Sequence, residues 1–336
     1  MTEIFELLHS QINNYEEYIL KTVEEKNRKP LGYVTPLLPP EIFAAFDIDY
    51  LKIPEEYLNG TKDSLFINKN FMALITPYHR YPCSRSFENY LSFDYPGGFG
   101  EDAAVELHNK LLLFLQENFQ IDLKSINIEK LQSLCRSYEE LRRNVRKIFA
   151  LKNEGYPISQ AEIKLLLDLS LIFPPQRAIE TLKKVEEILQ KKEASKKDFK
   201  VKALIFGARH IPEDILDYIE RRGIAPVEDD TCSGSRLFDI SLNSESPYIF
   251  YELLEAYSYR PMQPCIRKVQ ERFELLYKLL KNYGIETVIF YIDESCPFAK
   301  ETASFLRIKM MRSGIDPLVI DRLNYQIEID RYVSLL

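Results

Sequence analysis

The residue with the clearest chemical potential is Cys296, which follows a predicted strand. An apolar run of strand length and composition, TVIFYI, ends before Glu294, and a helical segment then runs from Cys296 to Gly314. In open parallel sheets, ligands bind beyond the carboxyl ends of the strands, and the start of a helix favours an anion such as a thiolate. A thiol that served only as a small buried hydrophobe would be expected inside the strand. The position of Cys296 therefore predicts a functional thiol.

A second cysteine, Cys83, occupies a comparable position earlier in the chain. It lies in TPYHRYPCSRSFENY, just after the predicted strand FMALI, and so falls on the carboxyl side of a sheet. His79, Arg80 and Arg85 are close to it in sequence, and cations of this kind stabilise a thiolate or an anionic ligand. The alternative is a loop cysteine among solvated charges. The residues themselves leave both interpretations open.

Three loops of the C-terminal half should meet at one sheet edge, because each follows a parallel strand: GARHIPED, DDTCSGSR and ESCPF. They could present backbone N–H groups, hydroxyls and guanidinium groups to an anionic ligand. The candidate ligand-binding residues are Gly207, Arg209, Ser233, Gly234, Ser235 and Arg236. The alternative is a set of ordinary strand-to-helix turns that need small residues. Neither the dinucleotide motif G-x-G-x-x-G nor the P-loop motif follows the strand VKALIF, so nucleotide binding of those kinds is not supported.

Parallel sheets are needed to bring these residues together. The hydrophobic and charge patterns of the sequence divide the chain into four regions. Residues 1–30 contain an amphipathic helix over residues 1–27, and residues 31–100 alternate short strand-like and helical runs, as in a small parallel lobe. Residues 101–198 are helical and end in a charged linker. Residues 199–336 have a β-α-β-α-β-α-β order, which predicts a four-stranded doubly wound sheet. Within the helical region, Cys135 lies on an apolar stripe and is predicted to be a core residue.

Composition narrows the function classes. The 336-residue chain is 46% hydrophobic, enough for a large core divided between two α/β lobes. A net charge of −7 and a sequence pI near 5.4 argue against a nucleic-acid partner. No apolar run is long enough for a membrane span, and the acidic start does not read as a signal peptide, so we expect a soluble cytoplasmic protein. Five widely spaced cysteines without a CxxC pair disfavour a disulfide framework and leave metal binding, catalysis or burial.

Four segments carry a family resemblance, and they occur in a fixed order: LGYVTPLLPPEIFAAF, ELHNKLLLFLQ, KALIFGARHIPEDILDYIERRGIAPVEDDTCSGSRLFD and FYIDESCPFAKETASFLRIKMMRSGIDPLVIDRLNYQIEIDRYV. Together they resemble the 2-hydroxyacyl-CoA dehydratase D-component family, which also contains benzoyl-CoA reductase subunits and double-cubane-cluster reductases. The resemblance extends from about Gly32 to the end of the chain. Its most specific pieces are DDTCSGSR and ESCPFAKE.

The resemblance implies a subunit of two flavodoxin-like lobes plus helices, with an iron–sulfur cluster, most often of the 4Fe–4S type, in the cleft between the lobes. An ATP-hydrolysing iron–sulfur activator supplies one electron, and the cluster passes it to a CoA thioester, which loses its hydroxyl from a ketyl radical. Soft thiolates are the ligands that such iron needs. On this resemblance, Cys296 matches the second-lobe ligand and Cys83 matches one of two first-lobe ligands.

One departure from the family pattern affects function. The first lobe has one cysteine, Cys83, where the family has two, and the chain is short for the family. Cys232 could replace the missing ligand, although the cysteine at this position of the family is not usually a cluster ligand. Cys265 is predicted to have a structural role. The expected function is therefore a cluster-bearing subunit of a dehydratase or acyl-CoA reductase. One alternative is a partner or scaffold subunit of such a complex that has no cluster or an atypical one. Another is a small-molecule-binding α/β protein that uses Gly207, Ser235 and Arg236. Expected partners are a homologous second subunit or a second copy, the activator and an acyl-CoA.

Overall fold

A computed structural model gives the structure, and it describes residues 2–33, 38–58, 62–76, 88–96, 100–195, 199–207, 211–231, 234–259, 269–292 and 297–336. The strands are β1 Leu31–Tyr33, β2 Tyr50–Lys52, β3 Leu74–Thr76, β4 Tyr90–Ser92, β5 Val201–Gly207, β6 Ile224–Asp230, β7 Thr287–Tyr291 and β8 Leu318–Ile320. The helices are α1 Glu3–Asn13, α2 Tyr15–Lys26, α3 Pro40–Ala45, α4 Glu55–Leu58, α5 Leu65–Asn70, α6 Gly100–Phe119, α7 Ile128–Asn153, α8 Gln160–Ile172, α9 Pro175–Gln190, α10 Glu213–Arg221, α11 Ile249–Tyr259, α12 Val269–Tyr283, α13 Pro297–Arg312 and α14 Tyr325–Ser334.

The strands form two separate four-stranded parallel sheets, which confirms the predicted fold class of two doubly wound lobes. The first sheet has the order β2-β1-β3-β4 and the second the order β6-β5-β7-β8. In chain order both sheets therefore run second, first, third, fourth. The direction in which the chain adds strands reverses between the first and third strands of each sheet. These strands are β1 and β3 in the first sheet and β5 and β7 in the second. Ligands of doubly wound folds bind at this switch point, beyond the carboxyl ends of the strands.

The second sheet is buried on both faces, as its nearly continuous apolar strands predict. Along β5, Ala203 and Ile205 pack with residues of α10 and α14. Leu204 and Phe206 point to the opposite face and pack with α12 and α13. The register between β5 and β6 shifts opposite Pro226, where an N–H donor is missing from the ladder.

The first sheet is built from strands of only three residues, and its stability depends on the side chains around it. Leu31, Leu74 and Ile75 are buried in these strands. Pro40 begins α3, where the missing N–H costs nothing.

The N-terminal region differs from the single helix predicted over residues 1–27. It forms two helices, α1 and α2, which are separated at Asn14. Ile4, Ile12 and Ile19 of the predicted stripe are buried, so the apolar pattern was correct. Two consecutive asparagines, which have a low helix propensity, lie at the interruption.

Contacts divide the chain into two compact units. Unit 1 contains residues Met1–Arg146, Asp168–Lys184 and Leu237–Arg260, and it includes the first sheet. Unit 2 contains Lys147–Leu167, Val185–Arg236 and Pro261–Leu336, and it includes the second sheet. Helices α7, α8 and α9 each have residues in both units, whereas α6 lies wholly in unit 1. None of the helices in the described ranges is long and apolar enough to cross a bilayer.

Candidate functional site

The two predicted ligand cysteines occupy matching places relative to the sheets. Cys83 follows the last residue of β3 by seven positions, and Cys296 follows the last residue of β7 by five. In the sequence, each thus follows the third strand of its sheet, one of the two strands that flank the switch point. Cys83, Cys232 and Cys296 themselves lie outside the described residues, as does Cys265. Their ligand roles stay predictions.

Cys135 is the one cysteine within the described ranges, and its predicted place in the core is confirmed. It is fully buried on α7. Burial raises the pKa of its thiol, and the nearby Glu41 carboxylate adds to the rise. A thiol held protonated in this way is a poor metal ligand. No group of three or more His, Cys, Asp or Glu side chains within the described ranges could hold a metal ion.

The loop after β6 is organised by one carboxylate, that of Asp229. Its Oδ1 accepts a hydrogen bond from the Thr231 hydroxyl at 3.1 Å, and its Oδ2 accepts one from the Ser235 backbone N–H at 3.0 Å. A Cβ atom at Gly234 would lie 1.5 Å from Asp229 Oδ1, so only glycine fits there. Burial raises the pKa of Asp229, and the N–H group of Ser235 opposes this shift. Within the motif DDTCSGSR, Asp229 thus holds Thr231 and Ser235 and leaves no room for a side chain at position 234.

The next residue, Asp230, is shared by two buried arginines. Its Oδ1 accepts a hydrogen bond from Nη1 of Arg236, and its Oδ2 lies 3.1 Å from Nε of Arg272. Arg272 comes from α12 and is fully buried, while Arg236 is 3% exposed. Two cations and one carboxylate thus lie together at the carboxyl end of β6, an edge strand of the second sheet. We call Asp230, Arg236 and Arg272 the β6 cluster.

The predicted anion-binding residues differ in what they contact and in whether the structure describes them. Ser235 and Arg236 both contact the acidic residues at the end of β6; the Ser235 hydroxyl donates to Glu228 at 2.7 Å. Gly207 ends β5, and its preceding residue Phe206 is the register partner of Asp230. Arg209 and Ser233 lie outside the described residues. Sequence reasoning missed Arg272, although an arginine at a buried position of an otherwise apolar helix stripe was a usable signal.

Unit 1 contains a second buried ion pair that sequence reasoning also missed. Arg142 of α7 donates to the fully buried carboxylate of Glu41 in α3, and the Tyr257 hydroxyl lies 3.3 Å from that carboxylate. Burial alone lowers the pKa of Arg142, but Glu41 and Tyr257 more than offset this, so the pKa is raised. The spacing of Arg142 from the buried residues Cys135 and Val145 was the available signal.

A small cavity of about 40 Å³ adjoins this pair and is lined in part by Tyr33, Tyr50 and Tyr138. That volume suits a few water molecules and no larger ligand. The pair therefore belongs to the structural core of unit 1.

Two doubly wound parallel sheets, with a cysteine following the third strand of each in the sequence, define an α/β protein with a candidate site at the strand ends. Comparison with known families identifies it further. The chain belongs to the family described as 2-hydroxyglutaryl-CoA dehydratase, D-component, whose model matches residues 81–327. The match includes Cys83, all of the second sheet and the β6 cluster. A comparison with curated proteins finds no match.

Proposed function

We propose that this chain is the cluster-bearing subunit of an iron–sulfur enzyme that dehydrates a 2-hydroxyacyl-CoA or reduces an activated acyl-CoA. The observation that carries the proposal is positional. Within a family of dehydratase components, the two cysteines that follow strands β3 and β7 come after equivalent strands of two sheets with the same order. Loops after these strands are where doubly wound folds bind ligands.

The donor set has the right chemistry for the cluster. Thiolates are the usual ligands of iron–sulfur clusters, and Cys83 and Cys296 supply two, with Cys232 as the candidate third. When bound, a 4Fe–4S cluster would supply single electrons to the substrate and an iron site open to it.

The chain contributes a means of keeping Cys296 ionised. Cys296 directly precedes α13, a helix of 16 residues. The N-terminal end of such a helix carries a partial positive charge, which favours a thiolate over a thiol. The positive charges of Arg80 and Arg85 would likewise favour the thiolate form of Cys83.

The proposal includes partners. A D-component acts within a complex, and we propose a homologous second subunit or a second copy of this chain. An ATP-dependent iron–sulfur activator would supply the electron, and an acyl-CoA would be the substrate. The setting would be the reducing cytoplasm, where thiols stay reduced.

One observation favours a second candidate, a partner subunit without a cluster. Between residues 31 and 100 the sequence has a single cysteine, Cys83. If Cys232 does not act as the third ligand, the chain holds two thiolates for a cluster that usually needs more. The subunit would then act as a scaffold beside a cluster-bearing homologue.

Spectroscopy separates the two candidates. The full chain would be purified without oxygen, reconstituted with iron and sulfide, and followed by UV–visible absorption before and after reduction. A cluster-bearing subunit is expected to be brown, with broad visible absorption that bleaches on reduction. Cys135→Ala is the matched control and should behave like the wild type, because Cys135 is buried in the core.

The same measurement on Cys232→Ser tests the third ligand. Loss of the absorption would assign Cys232 to the cluster, whereas retention would leave it outside. A wild-type chain that stays colourless after reconstitution would contradict the cluster-bearing proposal. Co-purification of such a colourless chain with a homologue that carries the full cysteine set would instead support the scaffold.

A further inference from the structure

Arg236 of the β6 cluster is incompletely partnered. Its Nη1 donates to Asp230, but Nε and Nη2 have no hydrogen-bond partner among the described residues, and both atoms are shielded from solvent. In a guanidinium group, the N–H bonds of Nε and Nη2 lie along one edge and point in nearly parallel directions. The unpartnered atoms therefore form one intact two-pronged donor edge, the geometry that pairs with a carboxylate or phosphate through two parallel hydrogen bonds.

Leaving this edge without a partner is energetically costly. A buried donor that makes no hydrogen bond costs about 1–3 kcal/mol, and more when the group is charged. Native proteins rarely tolerate such groups, and those that persist call for an explanation such as an ion or a catalytic role. The two adjacent unpartnered donors of Arg236 therefore call for an acceptor.

The surrounding charges indicate the sign of the missing partner. Asp230 serves two guanidinium groups, because its other oxygen lies 3.1 Å from Nε of Arg272. The nearest further carboxylate in sequence, Asp229, accepts from Thr231 and Ser235 instead. Asp230 is therefore shared, and the remaining donor edge of Arg236 is positively charged, so it favours an anionic acceptor.

We infer that the Nε–Nη2 edge of Arg236 binds a two-oxygen anionic group, a carboxylate or a phosphoryl group, at the carboxyl end of β6. This end of a doubly wound sheet is where anionic ligands approach. An acyl-CoA contains both kinds of group, since coenzyme A has phosphates and a dicarboxylic acyl chain has a free carboxylate. Only that identification of the source rests on the proposed function; binding at Arg236 does not require a cluster.

Titration calorimetry on the full chain tests the inference with three probes: inorganic phosphate, glutarate and coenzyme A. We expect saturable binding by the wild type. Arg236→Lys keeps the charge but removes the two-pronged edge, and it should weaken binding about tenfold or more. The matched control is Arg322→Lys, because Arg322 also pairs with an aspartate, Asp214, but at the exposed surface. This control should bind like the wild type.

The probes distinguish the source of the anion. Binding of phosphate and coenzyme A but not glutarate assigns a phosphoryl group, and the reverse pattern assigns a carboxylate. The inference is overturned if the wild type binds none of the three, or if Arg236→Lys binds them as tightly as the wild type does. Because these probes contain no iron, a colourless chain that still binds them would refute the cluster while leaving the anion site standing.

A second measurement does not depend on whether Arg236→Lys folds. Wild-type crystals grown with selenate, an oxyanion that mimics phosphate, would reveal selenium by its anomalous scattering. A selenium peak within hydrogen-bond distance of Nε and Nη2 of Arg236 is the expected result. Peaks only at other positions would mean adventitious ions and would overturn the inference, as would the absence of any peak.

Discussion

Each of the two units buries an arginine beside a carboxylate, but the two arrangements differ in how fully the arginine is partnered. In unit 1, Nη2 of Arg142 donates to Glu41 and lies 3.4 Å from the Tyr257 hydroxyl. Its Nη1 makes no hydrogen bond among the described residues, but it has a second carboxylate, that of Glu139, at 3.8 Å. In unit 2, Arg236 shares Asp230 with Arg272 and leaves one edge unpartnered among the described residues. The first arrangement is explained by the packing of the core. The second is explained by a ligand at the sheet edge.

The largest expected effect is a difference in protein stability between a variant of Arg142 and a variant of Arg236. Arg142→Met would leave the Glu41 carboxylate buried without its cation, and we expect a loss of about 3–5 kcal/mol in the free energy of unfolding. Arg236→Met leaves Asp230 beside Arg272, so its cost should be lower, about 1–2 kcal/mol. Urea unfolding of both variants measures the difference.

A double variant serves as the control for this prediction. Replacing Glu41 by Gln together with Arg142→Met removes the unpaired charge and should recover much of the lost stability. If Arg236→Met proves as destabilising as Arg142→Met, the contrast between the two units is wrong.

The next effect concerns the turn that follows β6. Gly234→Ala would force a methyl group to within 1.5 Å of Asp229 Oδ1, and rebuilding the turn should cost about 3 kcal/mol. Gly314→Ala is the matched control: its φ is +78° but no atom lies within 4 Å of the added carbon, so strain of about 1 kcal/mol is expected. Thermal unfolding of the two variants compares them. If Gly234→Ala and Gly314→Ala lost the same stability, Asp229 would not organise the turn.

These variants also show what the sequence could and could not predict. The two parallel lobes, the four strands of the second sheet and the burial of Cys135 were predicted from local apolar patterns and the order of strands and helices, whereas the strand order within each sheet was not. The pairing of Glu41 with Arg142 joins residues 101 positions apart, and that of Asp230 with Arg272 joins two elements across a crossover. Such pairs depend on how the helices pack against the sheets. Local sequence patterns can identify an arginine on a buried helix stripe, but they do not show which residue it pairs with.

A pH-dependent effect is expected from Asp229. Its pKa is raised above 3.8 by burial, so below 3.8 the carboxyl is neutral in both folded and unfolded states and imposes no penalty. As the pH rises through the folded-state pKa, the folded protein must ionise a buried group, and stability is lost. Asp229→Asn does not titrate. The stability advantage of the wild type over this variant should therefore be largest near pH 4 and should shrink toward pH 7.

Urea unfolding between about pH 4 and pH 7 checks this prediction. Asp214→Asn is a suitable control, because Asp214 is half exposed in its ion pair with Arg322. An advantage of the wild type that grows with pH would mean that the pKa of Asp229 is lowered, not raised, in the folded protein.

The smallest expected effect lies in unit 1. Tyr257→Phe removes a hydroxyl that lies 3.3 Å from Glu41 Oε2 and should cost about 1 kcal/mol, since the Arg142 pair remains. Tyr248→Phe is the control, because Tyr248 is 68% exposed and should show no change. A loss from Tyr257→Phe as large as that from Arg142→Met would mean that the hydroxyl, and not the arginine, satisfies Glu41.

The central claim is that thiolates after the third strand of each sheet hold one iron–sulfur cluster. The most direct test is the iron and acid-labile sulfide content of the reconstituted chain, measured for the wild type and for the Cys83→Ser/Cys296→Ser double variant. The account predicts about four iron and four sulfide per wild-type chain, as in a 4Fe–4S cluster, and almost none in the double variant. Equal iron contents in the two proteins, or a wild type without iron, would contradict it.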